Sequence, residues 1–92
     1  MIAVGEFGRT PKINEKAGRD HWQQCYSAVV AGGGLRVGQV IGESDAKGEF
    51  PANRPITPAD LFRTAVHQIG IDTTQLTAAG LTPQGEVIEE LV

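Results

Sequence analysis

The sequence has a single cysteine, Cys25, which excludes an intramolecular disulfide and any Cys-x-x-Cys zinc or redox motif. No apolar run approaches the ~18 residues that a membrane-spanning helix needs. Net positive charge is also missing. The formal charge of −3 argues against a general nucleic-acid binder. Residues 1–6 lack a basic leader followed by a long apolar stretch, so they do not read as a secretory signal. No Gly-Lys-Ser/Thr ending marks a P-loop, and Ser27 has no nucleophile-elbow pattern around it. Internal repeats and low-complexity segments are absent too.

What is present fits one small domain. A chain of 92 residues buries only about 60–65% of its unfolded surface, so its core is small. Apolar residues at 40% and charged residues at 21% are too apolar for an obligately disordered chain. The charge is uneven. Arg9, Lys12, Lys16 and Arg19 crowd one short stretch, while the acidic residues concentrate after residue 37. A local basic loop suits a small anionic ligand better than a polyanion.

Met1 to Val4 reads as a short buried strand, broken by Gly5 and Gly8. Residues 6–20 show no periodicity and read as a long loop, a length that is usually functional or mobile. Residues 25–31 read as a second strand, stopped by Gly32-Gly33-Gly34. Residues 39–41 read as a third, and residues 43–55 as a polar loop with Pro51 and Pro55. The clearest element is a helix from Pro58 to Ile69. Thr57 is its N-cap, Pro58 its first residue, and Gly70 its C′ residue. Leu61, Phe62, Ala65, Val66 and Ile69 cover an arc of about 140°, with Asp60, Arg63, Thr64 and His67 opposite. Residues 72–84 read as a turn-rich connector. Residues 85–92 fit either a short helix or a strand.

Two segments carry candidate chemistry. In Gly5-Glu6-Phe7-Gly8-Arg9-Thr10-Pro11, a carboxylate, a guanidinium and a hydroxyl follow a strand end, where α/β sheets bind ligands. Arg9 can clamp a phosphate or sulfate through its planar fork. The same residues also read as a glycine-rich turn with a solvated Glu–Arg pair. In Gly18-Arg19-Asp20-His21-Trp22, Asp20 and His21 are good donors for zinc or a similar divalent ion. They also read as a capped turn with a half-exposed histidine. Cys25, Trp22 and Tyr26 read as packing residues, and His67 as a surface histidine.

Taken together, residues 5–14, 18–22, 31–35 and 38–42 resemble the C-terminal end of the bacterial family called domain of unknown function 1501. Residues 55–61, 67–72 and 85–91 continue the likeness. The family is sulfatase-like, within the alkaline phosphatase superfamily. The resemblance implies an α/β fold in which this chain is a single partial domain: the C-terminal fragment of an alkaline phosphatase-like sandwich, with about three short strands and one amphipathic helix. It implies a metal-dependent hydrolase of phosphate or sulfate monoesters, inactive without the N-terminal region that supplies the nucleophile. No catalytic residue is therefore expected among these 92.

Glu6, Asp20 and His21 would hold a divalent metal, zinc or calcium-like. Arg9, Thr10 and Arg19 would bind the anionic ester. In the metal-dependent members of that superfamily a ligand pair, often Asp-His, follows a sheet strand; Glu6-Phe7 stands in its place, and Phe7 departs from that pattern because it cannot coordinate. The departure leaves three arrangements: one metal, a metal held differently, or Arg9 on the anion instead. A non-catalytic anion-binding or structural module with a degenerate metal site is the alternative. A small α/β domain with a basic loop is a third reading. Full-length relatives imply an exported, periplasmic setting.

Overall fold

The computed structural model describes residues 1–81 and 84–92. It is a small mixed α/β chain of short antiparallel strands and two helices: β1 (Ile2–Val4), β2 (Gly8–Arg9), β3 (His21–Trp22), β4 (Ala28–Val30), β5 (Glu43–Ser44), β6 (Pro51–Asn53), α1 (Pro58–Gln68) and α2 (Thr73–Ala78), with a terminal 3-10 turn at Glu89–Leu91. The residues group into two compact units, one of Met1–Val30 with Val40–Pro55, the other of Ala31–Gln39 with Ile56–Val92.

The first unit is built from three separate two-stranded ribbons. β1 pairs with β4, Ile2 facing Val30 and Val4 facing Ala28. The expected buried first strand is instead exposed, with Val4 at 52% and Val29 at 60% of their free surface. The ribbon's apolar side chains have no layer over them, because two strands alone give no second face to bury against. The second strand is shorter than residues 25–31. Cys25 and Tyr26 leave the ladder to pass over Gly8, where an added Cβ would sit 2.6 Å from the Cys25 carbonyl oxygen.

No strand forms at residues 39–41. Gly38 and Gly42 flank them with φ of 84° and 81°, a left-handed backbone that interrupts extension. The hairpin lies in the expected loop instead, where β5 pairs with β6. Its turn is organised by Asp45, whose Oδ1 accepts from the Lys47 and Glu49 amides. This is the local side-chain turn that Asp favours, and it outweighs the absence of apolar alternation.

The second unit holds the buried apolar residues Val66, Leu76, Ile88 and Leu91. α1 begins as expected. The Thr57 hydroxyl accepts from the Asp60 amide, while the Asp60 carboxylate accepts from the Thr57 amide. It ends in a Schellman pair, with Gly70 donating to the His67 carbonyl and Ile71 to the Val66 carbonyl. The expected connector instead carries α2, capped by Asp72 and Gln75 in the same reciprocal way. The connector's residues 82–83 lie outside the described residues.

The buried side of α1 keeps only part of the arc read from hydrophobicity: Val66 is buried and Leu61 and Ala65 are half-buried. Phe62 and Ile69 are exposed, whereas Thr64 is buried to 2%. The cause is the segment after residue 84, which docks on the 60/64 ridge. The Glu86 amide donates to Asp60 Oδ1 and the Ile88 amide to Thr64 Oγ1. Residues four apart share a helix ridge, so one face can offer both acceptors. The Thr64 hydroxyl in turn donates to the Asp60 carbonyl.

Replacing Thr64 by Val should therefore destabilise the chain by about 1–3 kcal/mol in denaturant unfolding, since it leaves the Ile88 amide buried without an acceptor. Thr64→Ser should recover most of that loss. Equal stability of the Val and Ser variants would show that the bond is not needed.

Candidate functional site

The residues from Gly5 to Trp22 fold into a hairpin. β2 and β3 pair antiparallel with Gly8 opposite Trp22 and Arg9 opposite His21. Directly opposed residues present their side chains on one face, and residues two apart do the same. Phe7, Arg9 and His21 thus share a face, and Trp22 points to the other. Trp22 is anchored there, with Nε1 donating to the Glu49 carbonyl at 2.7 Å and its ring edge-on to Phe50.

Beyond the ladder the hairpin is tied by polar groups. The Thr10 amide donates to the Asp20 carbonyl, and the Asp20 amide donates to Thr10 Oγ1. Arg19 Nη1 donates to the Thr10 and Pro11 carbonyls at 3.0 and 2.8 Å. Arg9 Nη1 reaches the Arg19 carbonyl at 3.3 Å. The tip is closed by Asn14, whose Oδ1 accepts from the Lys16 and Gly18 amides. Its Nδ2 donates to Asp20 Oδ1 at 3.1 Å.

The expected site residues divide accordingly. Glu6 and His21 line one open depression, together with Phe7, Trp22, Gln23 and Gln24. Arg9 lies beside it, with its Cζ 5.9 Å from the centroid of the Phe7 ring. Asp20 follows the ladder onto the other face, and one of its carboxylate oxygens is engaged by Asn14. Thr10 and Arg19 both serve the hairpin's own backbone. Among the described residues, no three His, Cys, Asp or Glu side chains come together as a metal-holding group. Glu6 and His21 supply a carboxylate oxygen and an imidazole nitrogen. Both are donor types that zinc accepts, and a structural or catalytic zinc takes three or four such donors from protein.

Two features were not read from the sequence. Phe7 packs its ring on His21, with centroids 4.1 Å apart and planes at 34°. Gln23 and Gln24 add amide groups to the depression. The signal for Phe7 was its two-residue spacing from Arg9, which becomes a shared face once Gly8 and Arg9 form a strand.

A family model described as "Protein of unknown function (DUF1501)" matches residues 1–92. No curated protein and no solved structure matches the chain.

The hairpin depends on Gly8. A Cβ there would meet the Cys25 carbonyl oxygen at 2.6 Å and Tyr26 Cβ at 2.8 Å. Gly8→Ala should cost about 1–3 kcal/mol by forcing that backbone apart. It should also displace the Trp22 indole signal in proton NMR. An unmoved indole and unchanged stability would show that the close approach is relieved elsewhere.

Proposed function

The chain belongs to the DUF1501 family, and we propose that it contributes part of the site of a metal-dependent phosphate or sulfate monoester hydrolase. In this reading it is the C-terminal segment of a sulfatase-like domain of the alkaline phosphatase superfamily. The nucleophile and the remaining metal donors come from other residues of that larger α/β sandwich. The observation that carries the proposal is the placement of Glu6 and His21 on one depression, with Arg9 registered opposite His21.

Each residue then has a task. Glu6 and His21 hold the divalent ion from one side. When bound, such an ion stabilises charge on the ester oxygens as a Lewis acid. Arg9 stands opposite His21 in the ladder and offers its guanidinium fork to the phosphate or sulfate oxygens. Its one bond to the Arg19 carbonyl, at 3.3 Å, is long for a hydrogen bond and is readily exchanged for an anion. Thr10 and Arg19 Nη1 hold the hairpin in shape around Arg9, which leaves Arg19 Nε and Nη2 to reach the anion. Asp20 is oriented by Asn14 through Oδ1, and its Oδ2 is the oxygen that could join the metal donors.

A second reading is supported by the same polar ties. Arg19 Nη1 and Asp20 Oδ1 are engaged within the hairpin, as a structural or anion-binding module with a degenerate metal site would have them. Calorimetry separates the two. Zinc should bind the 92-residue chain with one-to-one stoichiometry, and the heat should disappear in His21→Ala and diminish in Glu6→Gln. Zinc binding unchanged by His21→Ala overturns the metal assignment. In a full-length family member, the same histidine substitution should abolish monoester hydrolysis. Full activity there would favour the second reading.

A further inference from the structure

The stack formed by Phe7, Arg9 and His21 has a role that neither the hairpin bonds nor the proposed donors account for. We infer that Phe7 is a positioning residue, whose ring sets the orientation of the His21 imidazole and gathers the Arg9 guanidinium beside it. The inference rests on the metal-site reading above for its functional consequence, though not for its geometry.

The argument begins with exposure. His21 is an exposed residue on a two-residue strand, and among the described residues no hydrogen bond to its ring nitrogens orients it. An exposed imidazole turns freely about χ1 and χ2 unless something packs on it, and a donor that must be ordered on binding loses affinity. Phe7 supplies the packing. It is half-buried, its centroid lies 4.1 Å from that of His21, and the planes tilt by 34°. The contact covers one face of the imidazole and leaves the ring's in-plane nitrogen lone pair unobstructed by Phe7. That is the direction in which an imidazole binds a metal.

The same benzene ring faces the Arg9 guanidinium at 5.9 Å, within the range of a cation–π contact. One apolar residue therefore collects a metal donor and an anion-binding cation without itself bonding either. Phenylalanine suits this position because it has no polar atom to compete for the ion or for the ester.

Proton NMR of the metal-free 92-residue chain tests the geometry directly. Phe7 and His21 ring protons should show a mutual Overhauser effect, and His21 should show one ordered χ1 coupling pattern. Phe7→Leu should average that coupling, whereas Phe7→Tyr should retain it. The Trp22 indole signal, fixed by its bond to Glu49, reports whether each variant keeps the hairpin fold. Absence of the Overhauser effect in the unsubstituted chain overturns the inference, and this holds even if the Leu variant fails to fold. Unchanged His21 ordering in a folded Phe7→Leu chain overturns it equally.

Zinc affinity gives the functional arm. Phe7→Leu should weaken it by about tenfold to a hundredfold, the range for residues that orient a ligating histidine. Phe7→Tyr should restore it. If the unsubstituted chain binds no zinc while His21 ordering still depends on Phe7, the metal reading fails and the positioning role stands.

Discussion

Polar pairing has to hold the hairpin that carries the candidate site. The buried apolar side chains among the described residues, Val66, Leu76, Ile88 and Leu91, all belong to the other unit. A two-stranded ribbon is marginal in water without a face to bury. β2 and β3 contribute only two residues each to their ladder. The hairpin therefore depends on side chains bonding to its own backbone. Thr10, Asn14 and Arg19 do this work, and each is a residue type whose polar reach matches a nearby amide or carbonyl. Gly8 adds the complementary constraint, since only a residue without Cβ lets Cys25 and Tyr26 come so close.

This economy shapes what the site can do. Where side chains substitute for a core, part of their bonding capacity goes to the scaffold. Thr10 Oγ1 and Arg19 Nη1 are used in that way. Arg9 and His21 stand opposite each other in the ladder, and Glu6, just before the strand, lines the depression beside His21. Strand alternation turns the side chains of Arg9 and His21 away from that of Trp22. A shift of one residue in the register would exchange the two sets.

The sequence was most legible where the signal is local. α1, its Thr57 cap and its Gly70 stop were readable because capping chemistry is written in adjacent residues. The small α/β character was readable as well. The site residues were named by motif, and the structure places Glu6, Arg9 and His21 together while turning Thr10, Arg19 and Asp20 to other tasks. The strands were harder. β5 and β6 are polar, and their hairpin is set by the Asp45 turn rather than by alternation. Residues 39–41 are apolar yet unpaired, because left-handed glycines bracket them. The buried face of α1 is legible in Val66 but not in Thr64, because a segment more than twenty residues away brings amide donors and draws Thr64 inward. α2 was missed for a related reason. Its threonines and short length give little periodicity, and the reciprocal Asp72–Gln75 cap is what starts it.

Phe7 shows how a departure from a family pattern can be reinterpreted by geometry. As a letter in a motif it is a lost ligand. As a ring in the hairpin it lies between the cation and the imidazole that flank the depression. A carboxylate or imidazole at that position would add a donor, but it would also be solvated and would give His21 no apolar surface to rest on. In the proposed metal site, a packing ring in place of a ligand would give fewer donors held in better order. Whether a divalent ion binds then depends on how much orientation offsets the missing ligand. Orientation contributes most where the remaining donors are exposed, as Glu6 and His21 are here.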